Sequence, residues 1–347
     1  MSFRYGVIGT GMMGVEHITN ILHIEGAEVV AYADPFPASR QAAHRLVPEA
    51  AEFENHRRLI DSGLCEAVVV VTPNQTHAEV LMDLMPTDLH VLVEKPLCTT
   101  VEDCRRVMEA AQGRDAITWV GLEYRYMPPV ARLIEEVRKG TAGSLRMLAI
   151  REHRFPFLDK VENWNLRTAT TGGTMVEKCC HFFDLMNHIL DARPVRVMAS
   201  GAQDVNRLGL ADMLDNAYVI VDYDSGARAM LDLCMFADAT FNQEEVVAVG
   251  DHGKLEALIP EMVLRVGRRG EHWIGKVEVE QVHDPSIPYQ GHHHGSSYLE
   301  HLDFIAACRG EREPGVNLED GLLSVAMGVA AHRSIELGRP VTLAEVL

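Results

Sequence analysis

Three glycines near the start of the chain have the spacing that a bound diphosphate requires. They follow the short apolar segment 3–8 directly and open an amphipathic helix. The first glycine of such a motif permits a tight turn, the second lets backbone approach a pyrophosphate, and the third lets helix and strand pack closely. The start of the helix also directs unpaired N–H groups and a positive dipole end towards phosphate. The pattern predicts a dinucleotide-binding turn. The residues expected to contact the cofactor there are Gly9, Gly11, Met12, Met13 and Gly14.

An acidic residue after the second predicted strand indicates which dinucleotide is bound. Asp34 ends the apolar segment 28–33, twenty residues after the last of the three glycines. A carboxylate at this distance accepts hydrogen bonds from an adenosine ribose and repels the 2′-phosphate of NADP, which favours NAD. Ser39 and Arg40 lie nearby and leave NADP as an alternative, and a plain turn at Asp34 is a second one.

A lysine at the end of another predicted strand has the chemistry to stabilise an alkoxide. Glu94, Lys95 and Pro96 follow an apolar segment that we expect to end at the ligand-binding edge of a parallel sheet. The proline disfavours helical backbone at the lysine, and a cation held there can lie beside a nicotinamide ring and a substrate hydroxyl. The alternative is an ordinary surface Glu-Lys pair. The residues after the preceding strand, which either contact the cofactor or cap the next helix, are Thr72, Pro73, Asn74 and His77.

A second group of titratable residues falls in a predicted helix near 173–190. Glu177, His181, Asp184 and His188 are spaced i, i+4, i+7 and i+11, which places them on one polar stripe. Such a stripe is often a solvated face, but it begins after a Gly-Gly pair that permits close approach, which favours a cleft. Histidine exchanges protons near neutral pH, so we expect His181 to take the alcohol proton. Asp184 is expected to orient its imidazole, and Glu177 to bond a neighbouring substrate hydroxyl.

Candidate substrate residues are polar or aromatic side chains in the segments that flank the predicted cleft. Recognition of a hydroxyl-rich ring needs many hydrogen-bond groups and an apolar wall. The candidates are Arg125, Tyr126, His153, Trp164, Asn165 and Arg167. The run 292–294 consists of three histidines but has no acidic or cysteine partner at ligand spacing, so we expect no metal site. That run is either a loop that reaches the substrate or a solvated loop.

The elements that must position these residues divide into two predicted domains. Residues 1–122 alternate short apolar strands with helices, which predicts a doubly wound parallel Rossmann sheet. Residues 123–347 predict an α+β domain for substrate binding and oligomerisation, with an open and largely antiparallel sheet. One face of that sheet has no helices to cover it, so we expect a homodimer or homotetramer. The strands expected in the first domain are 3–8, 28–33, 67–71, 89–93 and 117–120, and those in the second are 144–153, 194–204, 214–223, 227–236, 244–250, 254–258 and 276–282.

Composition narrows the class of protein and of partner. The 347 residues include 32 Lys and Arg against 50 Asp and Glu, a formal net charge of −18. This surface disfavours binding to nucleic acid or anionic membranes. The apolar runs are too short to cross a bilayer, and the first strand starts too early to leave room for a signal peptide. Seven cysteines without a C-x-x-C pair suit reduced thiols, so we expect a cytoplasmic protein.

Several of these motifs together resemble one known family. The chain resembles the glucose–fructose oxidoreductase, inositol dehydrogenase and rhizopine catabolism (Gfo/Idh/MocA) oxidoreductases over essentially its whole length. The resemblance implies a Rossmann domain, a second domain whose open sheet is used in oligomers, and NAD(P)-dependent oxidation of a secondary alcohol of a sugar, polyol or cyclitol. The motifs that carry it are Gly9-x-Gly-x-x-Gly14 with His17 and Asn20, Thr72-Pro-Asn-x-x-His77, Glu94-Lys-Pro96, and Gly172-Gly173 before His181-x-x-Asp184.

The resemblance also implies roles for individual residues and leaves other functions open. The catalytic lysine of the family falls on Lys95 and its catalytic histidine on His181. The chain departs from the family pattern at Glu177, where aspartate is usual, and at Cys179, where glycine is frequent. Two alternatives remain: a lyase, isomerase or glycosidase that reduces NAD only transiently, and a noncatalytic NAD(H) sensor.

Overall fold

The computed structural model describes residues 2–206, 209 and 211–347 and contains two compact units. Met1, with which the predicted first domain begins, lies outside the described residues. No helix in the described part of the chain combines the length and the apolar character that a membrane span needs. Unit 1 consists of Met1–Glu123, Asp159–Asn165 and Ile287–Val325, and unit 2 of Tyr124–Leu158, Leu166–Ser286 and Ala326–Leu347. The predicted division into independent domains at residue 122 stays a prediction.

The helices and strands of the described residues follow one another in chain order. The strands are β1 (Phe3–Ile8), β2 (Ala27–Ala33), β3 (Ala51–Phe53), β4 (Ala67–Val70), β5 (His90–Glu94), β6 (Thr118–Gly121), β7 (Leu145–His153), β8 (Pro194–Ala202), β9 (Asn216–Tyr223), β10 (Arg228–Cys234), β11 (Glu244–Gly250), β12 (Gly253–Ile259), β13 (Val263–Arg268), β14 (Glu278–Gln281) and β15 (Val341–Thr342). The α-helices are α1 (Met12–Leu22), α2 (Pro37–Leu46), α3 (His56–Asp61), α4 (His77–Leu84), α5 (Val101–Ala110), α6 (Pro128–Arg138), α7 (Thr168–Thr171), α8 (Thr174–Glu177), α9 (Cys180–Leu190), α10 (Ser296–Cys308) and α11 (Leu318–Leu337).

Unit 1 contains the predicted doubly wound parallel sheet. Its six strands have the order β3-β2-β1-β4-β5-β6, and all their pairings are parallel. The central strand β4 is buried along its whole length, as expected for a parallel sheet that helices cover on both faces. The reversal of strand order between β1 and β4 creates the crevice where such sheets bind ligands. The edge strand β3 has three residues, too few for an apolar pattern, and the sequence did not reveal it.

Unit 2 contains the predicted open sheet. Its nine strands have the order β14-β13-β12-β11-β7-β10-β9-β8-β15, and all pairs are antiparallel except β7 with β10. Inward side chains alternate with exposed ones along β8 and β9. Cross-strand neighbours Met198, Ile220 and Met230 form an exposed apolar row on one face of this sheet. The predicted fold class is therefore confirmed for both sheets, although β13 and β15 were not predicted.

The predicted single helix near 173–190 was wrong. The chain forms α8 and α9 instead, with Lys178 and Cys179 between them. The N–H of Cys179 donates to the carbonyl of Thr174, five residues back, at 3.2 Å, which widens the helical turn at this point. The spacing from Glu177 to the residues of α9 therefore differs from that of a continuous helix.

Candidate active site

The glycine turn after β1 has the geometry that its spacing predicts. Gly9 has φ of +94°, and a Cβ there would lie 2.6 Å from the carbonyl oxygen of Val71. A Cβ on Gly14 would overlap the carbonyl oxygen of Gly9, so this glycine lets α1 pack against the end of β1. A Cβ on Gly11, in contrast, would meet no protein atom within 4 Å. Gly11 therefore borders open space at the start of α1, where a pyrophosphate would approach.

Asp34 fixes the glycine turn, and its predicted contact is with a ribose. Its carboxylate is buried and accepts backbone N–H groups from Thr10 and Phe36, each at 2.8 Å. Each carboxylate oxygen accepts more than one hydrogen bond, so capacity remains for ribose hydroxyls. Arg40 is directed away from this role because it pairs with Glu52 at 2.9 Å and donates to the carbonyl of Asp34 at 2.8 Å. The cation that the NADP alternative needs is thus already engaged, which supports NAD.

Two buried polar atoms test whether this edge of the sheet fits a dinucleotide. Thr10 Oγ1 and Asn74 Nδ2 are buried and have no hydrogen-bond partner among the described residues. Buried polar atoms are normally satisfied, so such atoms at the ends of β1 and β4 point to a polar ligand. Together with the open space at Gly11, they fit NAD.

His77 connects the loops after β4 and β5. It is fully buried, and its two ring nitrogens lie 2.9 Å from the carbonyl oxygens of Pro96 and Thr72. Thr76, rather than His77, is the N-cap residue of α4, and it makes no side-chain cap hydrogen bond. None of the four residues offered as cofactor contacts or as caps of this helix is therefore its N-cap, and their contact with cofactor stays a prediction; they are Thr72, Pro73, Asn74 and His77.

Glu94 is part of a buried hydrogen-bonded group at the end of β5. One carboxylate oxygen accepts the backbone N–H of Lys95 at 3.0 Å, and the other lies 2.9 Å from His17 Nε2. Burial opposes the charge, but the hydrogen bond and charge of His17, with Lys95 and His293, lower the pKa of the Glu94 carboxyl overall. Glu94 is therefore ionised beside the proposed catalytic lysine.

His181 lies in unit 2 on α9 and is buried with an aromatic partner. The ring of Tyr124 stacks on its imidazole with centroids 4.0 Å apart and planes inclined by 8°. The Tyr124 hydroxyl accepts a hydrogen bond from Lys178 Nζ at 2.7 Å, and the same ammonium pairs with Glu152 at 2.9 Å. The stack fixes the plane of the imidazole, and the ammonium fixes the stacking ring.

The charge of Lys178 balances a pair of buried carboxyl groups. Glu152 and Glu244 are cross-strand neighbours on β7 and β11, and both are buried. Burial and the neighbouring Glu152 raise the pKa of the Glu244 carboxyl above its usual range. Lys178, together with Arg154 at 3.7 Å from Glu152, therefore faces one carboxylate and one carboxyl that resists ionisation.

Asp184 is held by an arginine on the same unit. Arg125 Nε donates to one carboxylate oxygen of Asp184 at 2.7 Å, and a second guanidinium nitrogen pairs with the other oxygen. Both side chains are buried, so the planar fork of the arginine compensates the carboxylate charge. The proposed orientation of His181 by Asp184, and the substrate contact by Arg125, stay predictions.

The Gly-Gly pair before α8 accommodates a side chain of the protein itself. Gly173 has φ of +85°, and a Cβ there would overlap the imidazole of His332 on α11. His332 Nε2 also accepts the backbone N–H of Met175 at 3.2 Å. The close approach that the sequence indicated is therefore real, and among the described residues it is His332 that approaches.

The remaining substrate candidates are divided between the two units. In unit 2, His153 donates to Asp232 at 3.0 Å, Tyr126 is half-buried and Arg167 is exposed. In unit 1, Lys160 lies over the ring of Trp164 at 4.6 Å, and Asn165 is fully buried. Glu177, in unit 2, is buried at the end of α8. Their contacts with substrate stay predictions.

The three histidines 292–294 belong to unit 1, at a loop anchored on α1. Glu16 of α1 is buried and accepts the backbone N–H of His292 at 3.0 Å and the hydroxyl of Tyr289 at 2.9 Å. His293 lies 3.4 Å from the buried carboxylate of Glu123, which follows β6. The loop thus lies at the same sheet edge as the end of β5, and His293 is a candidate site residue whose role the sequence left open.

Sequence reasoning missed several residues of these clusters. Tyr124 lies three residues after the last Rossmann strand, and an aromatic residue near that edge was an available signal. Lys178 and Glu152 were not singled out, since their pairing depends on bringing the segment between α8 and α9 against β7. His301 lies almost two hundred residues after the end of the first sheet and gave no local signal.

Comparison with known proteins agrees with these features. Residues 3–122 match the family model described as the oxidoreductase family with NAD-binding Rossmann fold, and residues 134–343 match that of the oxidoreductase family C-terminal alpha/beta domain. Myo-inositol 2-dehydrogenase of Thermotoga maritima is 29% identical over 354 residues, 99% of each chain. Inositol 2-dehydrogenase of Rhizobium meliloti is 26% identical over 99% of this chain and 100% of its own length.

The fold has a close solved counterpart. A probable dehydrogenase from Thermotoga maritima superimposes with a TM-score of 0.82 and 26% sequence identity, covering 99% of this chain and 100% of its own. The two family models together span nearly the whole chain. The chain belongs to the Gfo/Idh/MocA family of NAD-dependent oxidoreductases.

Proposed function

We propose that this enzyme transfers a hydride between a secondary alcohol of a cyclitol, polyol or sugar and NAD. The observation that carries the substrate class is the similarity, over 99% of both chains, to a myo-inositol 2-dehydrogenase. The polar and aromatic character of the candidate substrate residues supports a hydroxyl-rich ring. The engaged Arg40 and the carboxylate of Asp34 support NAD rather than NADP.

The chain supplies binding, charge and a proton acceptor for this reaction. When bound by the glycine turn and Asp34, NAD would supply the hydride acceptor. Lys95, held at the end of β5, stabilises the negative charge that develops on the alcohol oxygen. His181, whose ring plane is fixed by Tyr124, takes the hydroxyl proton. Glu177 bonds a neighbouring substrate hydroxyl, and Asp184, held by Arg125, orients the imidazole of His181.

The experiment is a panel of inositols, polyols and aldoses with NAD and NADP in parallel, followed by NADH absorbance. The expected result is NADH formation with at least one cyclitol or sugar and a clear preference for NAD. Lys95→Ala and His181→Ala are each expected to lose most turnover while they retain NAD affinity. Near-normal turnover in both variants would contradict the assigned roles.

The second candidate function, which the experiment must distinguish from a dehydrogenase, is a lyase, isomerase or glycosidase that reduces NAD only transiently. That function predicts tightly held cofactor and conversion of a sugar without net NADH. A noncatalytic NAD(H) sensor predicts no turnover on any polyol and a partner protein at fixed stoichiometry. The presence of Lys95 and His181 together favours catalysis, because a sensor needs neither.

We also propose that the open sheet of unit 2 forms a homodimer or homotetramer interface. Exposed Met198, Ile220 and Met230 form its apolar row. On either side lie charged cross-strand neighbours of both signs, such as Arg196 with Asp222. A face that carries an apolar row between mixed charges is complementary to a copy of itself.

The proposed location is the cytoplasm. An odd number of cysteines without a C-x-x-C pair suits a reducing compartment. Expression of the tagged protein followed by cell fractionation tests this location, and recovery of the protein in an oxidising compartment would contradict the proposal.

A further inference from the structure

Four buried titratable side chains of unit 1 form a continuous hydrogen-bonded chain. It starts at Glu94, whose carboxylate lies 2.9 Å from His17 Nε2. His17 Nδ1 lies 2.9 Å from His301 Nε2, and His301 Nδ1 lies 3.3 Å from the hydroxyl of Tyr5. Each of the four is less than 10% exposed. We call Glu94, His17, His301 and Tyr5 the histidine chain.

The histidine chain joins helices and strands that are far apart in sequence. Glu94 ends β5, His17 lies on α1, His301 lies on α10 and Tyr5 lies on β1. Its outer end is the Glu94 carboxylate, which also accepts the backbone N–H of Lys95 at 3.0 Å. The orientation of that carboxylate therefore connects the histidine chain to the lysine.

Whatever the protonation state of His17, its Nε2–H donates to the Glu94 carboxylate oxygen that does not accept the Lys95 N–H. Burial lowers the pKa of His301, so it is neutral and carries one N–H. If His17 is neutral, Tyr5 donates to His301, His301 donates to His17, and His17 donates to Glu94. If His17 is charged, it donates to both Glu94 and His301. In both arrangements His17 Nε2–H donates to Glu94, and every ring nitrogen has a partner.

The inner end of the histidine chain shows that it orients rather than conducts protons. Tyr5 is fully buried, and burial raises the pKa of its hydroxyl well above the usual range. The rings of Phe3 and Phe304 pack against Tyr5 with centroids 5.0 and 6.2 Å away. The hydroxyl of Tyr5 therefore resists ionisation at this end, and the group acts to fix side-chain orientation.

We propose that His17 and His301 are positioning residues for the Glu94-Lys95 turn. They hold the Glu94 carboxylate in one orientation, and that carboxylate holds the backbone of Lys95, so the ammonium group remains aligned for the reacting alcohol. The inference rests on the proposed role of Lys95 in hydride transfer. Because His17 lies on α1, which begins at the NAD-binding turn, the histidine chain also links α1 to the Glu94-Lys95 turn.

The test compares two substitutions of similar size at the buried position. His301→Gln keeps a donor for His17 and an acceptor for Tyr5, whereas His301→Leu keeps only bulk. We expect His301→Leu to lower kcat about 10- to 100-fold, the range for loss of a supporting hydrogen bond or a small misalignment, with KM for NAD changed less than about 3-fold. His301→Gln is expected to recover most of that loss. Tyr5→Phe, which shortens the chain only at its inner end, is expected to lose less than His301→Leu.

A second readout does not depend on turnover. Two-bond ¹H–¹⁵N spectra of ¹⁵N-histidine-labelled protein report which nitrogens of each ring are protonated. We expect His17 to carry a proton on Nε2 in the wild type, in its neutral or its charged form, and to lose that fixed state in His301→Leu. Equal kcat in the Leu and Gln variants, or an averaged His17 tautomer in the wild type, would overturn the proposal. Absence of polyol oxidation by the wild type would instead overturn the proposed function, since the spectra test the histidine chain by themselves.

Discussion

Gly11 separates cofactor binding from folding better than any other glycine of the turn. Its φ and ψ of −69° and −160° are extended backbone that alanine also adopts. A Cβ at this position would meet no protein atom within 4 Å, so Gly11→Ala is expected to fold normally. The added methyl group would occupy the space where the pyrophosphate approaches the start of α1. Gly11→Ala should therefore bind NAD weakly without any loss of stability.

The expected magnitudes follow from the same geometry. A methyl group that displaces the diphosphate from one backbone N–H removes a hydrogen bond to a charged acceptor, about 1.5–3 kcal/mol, which is roughly a 10- to 150-fold loss of affinity. Replacing glycine at a compatible position reduces the entropy of the unfolded chain and adds about 0.4–1 kcal/mol of stability. At Gly14 the outcome is reversed, because a Cβ there overlaps the carbonyl oxygen of Gly9. Gly14→Ala should cost about 1–3 kcal/mol of stability or more.

The assay is NADH fluorescence titration combined with urea unfolding of the two alanine variants and the wild type. The expected result is weak NADH binding with unchanged or slightly higher stability for Gly11→Ala, and reduced stability for Gly14→Ala. Wild-type NADH affinity in Gly11→Ala would refute the placement of the pyrophosphate. A large loss of stability in that variant would refute the claim that the position is open.

Three further predictions concern stability and assembly. Burial and the charges of Arg125 and Arg138 lower the pKa of His188 to about 3. As pH falls, the unfolded chain therefore gains a proton at His188 near pH 6.5, whereas the folded chain gains it only near pH 3. The free energy of unfolding should decrease as pH falls through this window, and His188→Gln should reduce its slope against pH, measured by urea unfolding, by about one proton. Ile220→Asp should dissociate the proposed oligomer, which light scattering would show as a smaller mass. An unchanged mass would exclude this sheet face as the interface. Lys178→Met should cost up to about 3–5 kcal/mol of unfolding free energy because it removes the cation 2.9 Å from buried Glu152 and leaves Arg154 at 3.7 Å; adding Glu152→Gln should recover part of the loss, and an additive loss would contradict the pairing.

The nucleotide-binding half was predictable because its signals are local. The spacing of Gly9, Gly11 and Gly14 indicates where the backbone turns and where another group approaches it closely. The continuous apolar run of β4 indicates that this strand is buried. Asp34 follows its strand at the expected distance. Each of these inferences depends on a few neighbouring residues, so no tertiary contact was needed to make them.

The parts that were not predicted depend on contacts between distant segments. The break between α8 and α9 places buried Lys178 opposite Glu152 of β7, and no periodicity in 173–190 indicates that partner. Gly173 correctly signalled a close approach, but the approaching group, His332, lies far along the chain. His301 similarly joins unit 1 only through the packing of α10 against the Rossmann sheet. Sequence patterns identified the positions under constraint and could not name their partners.

Direct transfer of hydrogen from carbon to cofactor is the claim on which the function depends. The measurement is incubation of the enzyme with NAD and a mixture of myo- and scyllo-inositol deuterated at the ring carbons, followed by mass spectrometry of the reduced cofactor. The account predicts NADH that is heavier by one deuterium, formed by the wild type and largely lost in Lys95→Ala. Unlabelled NADH, or converted substrate without any net labelled NADH, would contradict it.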